Sequence, residues 1–252
     1  MSSLRALLLI LVLLPCISQS DDSLTVAVAS NFQTTARSIA SQFTEATGIP
    51  VRLSTGSTGK LYAQIVNGAP FDVFLAADAV RPRRLDDAGQ IVPGSRMTYV
   101  LGSLLLWSAD PSLRAKDCRA ALEAGAYSRL AVANPETAPY GLAAKQFLEN
   151  AGLYDVAKSR LVFGENISQT LNFVATGNAT LGLIAASQAA TGIPVEATCS
   201  WPVPTNLHSE LAQQAVVLLS SKNTDAAAQF MRYLRSAEAR SLLERHGYRV
   251  PE

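Results

Sequence analysis

The sequence predicts an α/β protein made of two lobes of similar size joined by extended connections. Short β-branched or apolar runs alternate with amphipathic stretches over residues 24–78, and a second series of the same kind covers residues 99–187. Strands separated by helices of this length indicate a mostly parallel sheet covered on both faces. Two such series within 252 residues favour two α/β units.

The first series reads as strand, helix, strand, helix, strand. Its segments are LTVAVAS, FQTTARSIASQFTEATG, PVRLSTG, KLYAQIVNGA and FDVFLAAD. The second series has strand candidates at YVLGSLLLWS, RLAVANP, LVFG and LGLIAAS, with helices at AAKQFLENAG and ISQTLNFVATG between them. Both series therefore fit one architecture.

A proline-rich stretch at residues 193–206 follows the second series. Pro194, Pro202 and Pro204 rule out a regular helix there and favour an extended connection. A strand candidate, QAVVLLS, and two helical segments complete the chain. The simplest architecture places the two connections between the lobes near residues 101–106 and 200–207.

The first twenty residues have the layout of a secretory signal peptide. They hold one basic residue, Arg5, then an apolar run over residues 6–14, then small residues up to Ser20. The run is shorter than the roughly 20 residues that cross a bilayer. Pro15 stands where a small residue should precede a lipidated cysteine, so Cys16 is expected to leave with the signal. Cleavage after Ser20 would give a secreted, soluble, periplasmic protein.

Charge and cysteine content narrow the functional classes. Removing Arg5 with the signal leaves 20 basic and 20 acidic residues, so the mature chain has no net charge and lacks the basic excess of a nucleic-acid binder. Cys118 and Cys199 remain, and a secreted location permits them to pair. We predict a disulfide within the second lobe, between cysteines that both lie in loops. A pair of buried free thiols is the alternative.

Four sites share one pattern, in which a strand ends and a small or polar residue stands just before a helix. Ser, Thr and Asn at such positions commonly cap helices, and capping alone would explain any single site. Several helix N-termini facing one cleft would instead bind an anion through free N–H groups. The four sites carry no Arg or Lys, and Lys60, in the following helix, is expected to point to solvent. The sites are Ser30-Asn31, Ser57-Thr58, Pro139-Tyr140-Gly141 and Asn166-Ile167-Ser168.

Enzymatic motifs are incomplete in this chain. A nucleotide-binding loop over residues 54–61 would need glycine at Ser54 and Ser or Thr at Leu61. A nucleophile elbow centred on Ser57 would need glycine at Thr55. The sequence therefore predicts no catalytic residue.

The histidines and two prominent aspartates also have structural explanations. His208 and His246 lack metal-ligand spacing and lie outside the four sites. Asp72 and Asp78 lie near an expected strand end and are best explained as turn or cap residues. No metal site is predicted.

Four segments together resemble the periplasmic molybdate-binding proteins of ABC transporters, over residues 24–250. The Asn of VAVASNF and the Tyr of APYG are similar to the branch of that family which uses Asn and Tyr as donors. The resemblance implies the type II periplasmic-binding fold, with a hinge and a ligand cleft between lobes at 21–102 and 103–203 and a return of residues 204–252 to the first lobe. The segments are VAVASNF, STGSTGKLYAQIVNGAPFDVFLAAD, NPETAPYG and FGENISQTLNFVATGNATLGLI.

The resemblance also implies a ligand set and a partner. Ser30, Asn31 and Ser57 should contact the anion from the first lobe, and Tyr140 and the backbone N–H of Ile167 from the second. Many family members have tyrosine where this chain has Ala185, and Tyr140 is the expected substitute. The implied ligand is molybdate or tungstate, delivered by a monomer to a membrane ABC permease. No cofactor, catalysis or nucleic-acid partner is implied.

Two other functions stay open at this stage. The cleft could take another tetrahedral oxyanion such as sulfate or phosphate, although a protonated phosphate needs an acceptor and the four sites carry no acidic residue. A secreted hydrolase using Ser57 or Ser30 would need a nearby base. Ligand-dependent melting and ester hydrolysis would separate these classes.

Overall fold

The computed structural model describes residues 23–114, 117–193 and 195–251 and has two five-stranded sheets. In the first sheet the order is β2-β1-β3-β10-β4; the three strands from β1 to β3 are parallel, and β10 is antiparallel to both of its neighbours. The strands are β1 (Leu24–Ala29), β2 (Val51–Gly56), β3 (Val73–Leu75), β4 (Met97–Gly102) and β10 (Leu211–Val217).

The second sheet repeats this plan in the order β7-β6-β8-β5-β9, with β6 parallel to its neighbours and β5 antiparallel to its own. Pro202 ends the edge strand β9, where a missing N–H disturbs the sheet least. The strands are β5 (Leu104–Ser108), β6 (Leu130–Ala133), β7 (Leu161–Gly164), β8 (Leu181–Ala185) and β9 (Cys199–Pro202).

Helices connect most of these strands, as the amphipathic stretches predict. They are α1 (Gln33–Thr47), α2 (Thr58–Val66), α3 (Val80–Asp87), α4 (Cys118–Glu123), α5 (Pro139–Asn150), α6 (Tyr154–Ala157), α7 (Ile167–Ala175), α8 (Ala186–Ala190), α9 (Thr224–Tyr233) and α10 (Ala237–Arg245). Short 3₁₀ helices cover Ser30–Phe32, Pro111–Leu113, Lys158–Arg160 and Thr205–Leu207.

The apolar run at residues 99–108 serves both sheets. It contains the end of β4 and all of β5, and only Ser103 separates them. The run of apolar residues continues across this junction because every residue of β5 is buried and part of β4 is buried as well. The chain therefore passes from one sheet to the other within a single apolar segment.

The C-terminal helices pack against the first sheet. Phe230 of α9 meets Phe43 of α1 in an edge-to-face contact with ring centroids 5.2 Å apart. Tyr248, after α10, makes a similar contact with Phe32 at 5.3 Å. Aromatic pairs of this geometry stabilise a core beyond their buried area, so they fix the last segment beside β1 and α1.

Cys118 and Cys199 form a disulfide, which confirms the predicted pairing. Their expected position in loops is wrong, because Cys118 opens α4 and Cys199 opens β9. The bond ties α4 to the edge of the second sheet, next to Trp201, whose ring packs against Arg119 and Phe147.

Within the described ranges, no helix is both long and apolar enough to cross a membrane. The predicted signal peptide, residues 1–20, lies outside the residues that the structure describes.

Candidate functional site

In the first lobe, two predicted site residues follow paired strand ends. Ala29 of β1 lies opposite Gly56 of β2, so Ser30 and Ser57 are the next residues at the same edge of the sheet. Both are buried. Ser57 is the N-cap of α2, where its Oγ accepts the Lys60 amide at 3.4 Å. This edge therefore presents a 3₁₀ turn and a helix N-terminus side by side.

The second lobe has the same arrangement. Ala133 of β6 pairs with Gly164 of β7, and α5 and α7 begin beyond this edge. Tyr140 is the second residue of α5. Asn166 caps α7 by accepting the amides of Ser168 and Gln169 at 3.0 and 3.1 Å, so the Ile167 amide is the first N–H of the helix and lies outside that cap.

The two edges face each other and are in direct contact. Ser168 Oγ donates to the backbone oxygen of Ser30 at 3.2 Å, and the Gly59 amide donates to the backbone oxygen of Thr137 at 2.8 Å. A Cβ at position 59 would lie 2.9 Å from both Cα and O of Thr137, so glycine is required for this approach. The structure is therefore a closed arrangement of the two lobes.

Charged groups at the rim of the cleft are paired. Lys60 forms an ion pair with Glu165 of the other lobe, and both side chains are about half exposed, at 52% and 53%. The expectation that Lys60 points to solvent is therefore incomplete, because its amine is held by a carboxylate across the cleft. Arg81 pairs with Asp78 and donates to the backbone oxygen of Glu136 at 3.1 Å.

A buried hydrogen-bond network links Asn31 to Tyr140. Asn31 Nδ2 donates to Gln213 Oε1 at 2.9 Å, and Gln213 Nε2 donates to Tyr140 Oη at 3.1 Å. Tyr99 Oη also donates to Gln213 Oε1, at 3.2 Å. All four side chains are buried, so Gln213 joins the two lobes through their predicted donors.

Tyr248 completes the network on the other side of Asn31. Its Oη donates to the Asn31 backbone oxygen at 3.0 Å and accepts from Asn31 Nδ2 at 3.3 Å. Both N–H groups of the Asn31 side chain therefore have protein partners. Asn31 organises the network with its side chain and has its backbone amide in the first turn of the 3₁₀ helix.

The tyrosines of the network are neutral at physiological pH. Burial raises the pKa of Tyr140 and of Tyr99 well above the ordinary value of 10.0, and the neighbouring phenol of Tyr248 raises both further. Burial also raises the pKa of Tyr248. Each phenol thus keeps its proton and can act as a donor.

Sequence reasoning missed several residues of this site. Gln213, Tyr99 and Tyr248 are absent from the predicted set, although two consecutive glutamines inside the apolar run LAQQAVVLL were an available signal, since a polar residue inside a strand is informative. Gln188 was also missed. Its Oε1 accepts the Ala185 amide at 3.0 Å, and its Nε2 donates to the Ile167 oxygen at 3.2 Å.

The aspartates near β3 have structural partners, as the sequence indicates. Asp72 accepts the Thr25 amide at 2.8 Å and the Ser221 hydroxyl at 2.7 Å. Asp78 accepts the Arg81 amide at 2.9 Å at the start of α3. These bonds account for both carboxylates.

The histidines bond away from the predicted site serines. His246 Nδ1 lies 3.0 Å from Thr35 Oγ1, and His208 Nδ1 lies 2.8 Å from the Ser209 oxygen. Burial lowers the pKa of His246, which favours its neutral form. Among the described residues, no group of three or more His, Cys, Asp or Glu could hold a metal ion.

Two mixed sheets in these strand orders, with helix N-termini meeting across a cleft, define the two-lobed periplasmic-binding fold. The family model of bacterial extracellular solute-binding proteins matches residues 24–249, so the chain belongs to this family. This match confirms the predicted fold class.

The comparisons with individual proteins are more specific. The chain is 45% identical to the molybdate-binding protein ModA of Azotobacter vinelandii, over 94% of this chain and 93% of that protein. It is 42% identical to the molybdate-binding protein ModA of Rhodobacter capsulatus, over 88% and 86%. The solved Azotobacter vinelandii periplasmic molybdate-binding protein superposes with a TM-score of 0.85 at 40% identity, over 91% of this chain and 100% of that one. These matches confirm the resemblance drawn from the sequence.

Proposed function

We propose that the protein captures molybdate or tungstate in the cleft and delivers it to a membrane ABC transporter permease. The observation that carries this proposal is the buried donor network at the meeting edges of the two lobes, in a chain 45% identical to a molybdate-binding protein. The protein acts as a periplasmic receptor, and the anion is its ligand rather than a cofactor.

The proposed ligand set is Ser30, Asn31 and Ser57 from the first lobe and Tyr140 and the Ile167 amide from the second. The positive ends of the α2, α5 and α7 dipoles support this set, because they stabilise an anion without a fixed positive charge. The paired rim cations support it too, since Lys60 is neutralised by Glu165. The sequence favours Asn31 as a side-chain donor. Because both of its side-chain N–H groups have protein partners, we propose that it contributes its backbone amide instead.

Each lobe supplies part of this set, so the anion interacts with all of it only in the closed form. That difference in contacts shifts the population towards closure. The lobes are residues 21–102 and 103–203, with residues 204–252 returned to the first. The pairing of β10 with β3 and β4 supports this division. The mature chain begins after Ser20 and functions as a monomer without nucleic acid.

The proposed role is binding without catalysis. In a serine hydrolase the nucleophile needs an adjacent base, whereas Ser57 Oγ accepts a backbone amide and the two histidines bond to Thr35 and to Ser209. Protonated phosphate is disfavoured because neutral phenols offer protons where it requires an acceptor. Sulfate has the same charge as molybdate and is the competing ligand that an experiment must compare.

A thermal-shift series tests this function. Molybdate and tungstate at about 100 times their Kd should raise the melting temperature of the mature protein by roughly 5–10 °C, since a ligand at that level stabilises the folded state by about 2.7 kcal/mol. Sulfate and phosphate at the same concentrations should give smaller shifts. A sulfate shift equal to that of molybdate would contradict the assignment, and turnover of generic esters would favour the hydrolase.

Small-angle scattering tests closure. Adding saturating molybdate to ligand-free protein should reduce the radius of gyration, because the contacts between Ser168 and Ser30 and between Gly59 and Thr137 form only when the lobes meet. Sodium chloride at the same ionic strength is the control for a salt effect. An unchanged radius at saturation would contradict ligand-driven closure.

A further inference from the structure

Gln213 occupies the centre of the buried network and is fully shielded from solvent. Its side chain bonds to Asn31 and Tyr99 through Oε1 and to Tyr140 through Nε2. Asn31 Nδ2 and Tyr99 Oη both lie within hydrogen-bond distance of the Gln213 carbonyl oxygen, and Tyr99 Oη also lies 3.4 Å from the Ala76 backbone oxygen. The contact of Gln213 with Tyr140 is made by its amide nitrogen, which can only donate.

The direction of that contact determines the role of Tyr140. A phenol has one proton. Because Tyr140 Oη accepts from Gln213 Nε2 at 3.1 Å, it does not give its proton to Gln213 and can donate it to a ligand. An acceptor at position 213 would draw the Tyr140 proton towards the protein and reverse this direction.

Two local features of the backbone make room for the contact. The ladder between β10 and β4 has a register shift between Gln213 and Gln214, and such irregularities redirect side chains out of the regular pleat. Gly102, at the end of β4, lies against the same atoms. A Cβ there would be 2.2 Å from Tyr140 Oη and 2.7 Å from Gln213 Nε2. Gly102 is thus required for Tyr140 to reach Gln213.

We propose that Gln213 is a positioning residue that sets the polarity of the site, holding Tyr140 as a donor so that the cleft selects fully deprotonated oxyanions. This rests on the proposed function, because it specifies how that cleft recognises its ligand. Gln213 acts through Tyr140 and Asn31.

Gln213→Glu is the decisive variant because it keeps the length of the side chain and replaces the Nε2 donor with the oxygen of a titratable carboxyl group. Ionised Glu is purely an acceptor; it draws the Tyr140 proton and repels a dianion. Protonated Glu has one O–H and one carbonyl, and so restores the wild-type pattern. Buried carboxyls can have pKa values of about 8–9. At a pH above that pKa, where the free variant is ionised, binding should therefore take up one proton, and at a pH well below it binding should take up none.

Titration calorimetry with molybdate between pH 6 and pH 9 measures this effect. Gln213→Glu should bind up to about tenfold more weakly than wild type at pH 9, where a carboxyl with a pKa of about 8–9 is at least half ionised, and it should regain wild-type affinity as pH falls below that pKa. Buffers of different ionisation enthalpy should reveal proton uptake by the variant. Wild type should show no proton uptake and a constant affinity.

Gln214→Glu is the matched control. It adds the same charge one residue further along β10, where Gln214 bonds to Thr98 and Arg96 instead. It should bind like wild type at every pH. Wild type that fails to bind molybdate would overturn the proposed function itself. Wild type that binds, with Gln213→Glu showing no proton uptake or pH dependence, would overturn the polarity inference alone.

Gly102→Ala keeps the inference testable if Gln213→Glu does not fold. Its methyl group would displace the Tyr140 hydroxyl, so it should weaken molybdate binding by about 10- to 100-fold, which is also the loss expected when Tyr140→Phe removes that hydroxyl. Because both changes act on one hydroxyl, the double variant should be no weaker than Tyr140→Phe. Additive losses would overturn the proposed link between Gly102, Tyr140 and Gln213.

Discussion

Tyr140→Phe is expected to weaken molybdate binding by about 10- to 100-fold, because it deletes one hydrogen bond to a dianion and keeps the ring. Such bonds contribute roughly 1.5–3 kcal/mol when one partner is charged. The phenol is buried and neutral, so no change of charge accompanies the substitution. Titration calorimetry at pH 7.5 measures the loss, and thermal unfolding of the free variant shows whether it is folded.

Lys60→Ala is the matched comparison. The ion pair of Lys60 with Glu165 is half exposed, and exposed pairs contribute about 0–1 kcal/mol, so affinity should fall by less than about fivefold. Added salt should narrow even that difference. If Lys60→Ala abolished binding while Tyr140→Phe left it intact, the proposed ligand set would be wrong.

Replacing both cysteines, Cys118→Ala with Cys199→Ala, is expected to lower the free energy of unfolding by about 4 kcal/mol. The bond closes a loop with a sequence separation of 81 residues, and a crosslink over so long a loop strongly restricts the unfolded chain. Denaturant unfolding under non-reducing conditions measures the difference. The affinity for molybdate should be unchanged, because neither cysteine belongs to the proposed ligand set or to the hydrogen-bond network around Gln213.

Wild-type protein treated with reductant is the control for the loss of two side chains. Its stability should fall to that of the double variant. Equal stability of oxidised and reduced protein would contradict a stabilising role for the bond, and two reactive thiols in the unreduced, denatured chain would contradict the bond itself.

The sequence by itself determined the elements and the edges on which the site is built. Apolar residues recur about every two positions in a half-buried strand and about every 3.6 positions in a helix, and this repeat depends only on which face of the element is buried. It therefore identified β1, β2 and the helices that follow them. Strand ends before helices could be found in the same way, which is why the four sites that contain Ser30, Ser57, Tyr140 and Ile167 were predicted. The choice of these residues as anion donors came from the resemblance to the molybdate-binding family. Their contact with an anion stays a proposal.

Tertiary structure alone decided how those residues are connected. Gln213 meets Asn31 from 182 positions away and Tyr140 from 73 positions away. No local pattern encodes such distances, because burial periodicity reports that a side chain is covered and not which side chain covers it. The partner of Lys60, 105 positions along the chain, was unpredictable for the same reason.

The direction of each hydrogen bond was also a tertiary property. Glutamine, asparagine and tyrosine can donate or accept, so their presence in the sequence leaves the polarity of a site open. Packing then fixed it: Gln213 has its carbonyl satisfied by Asn31 and Tyr99, which leaves its amide nitrogen for Tyr140. The sequence thus specified neutral donors at two facing edges, and the closed packing of the lobes determined where their protons point.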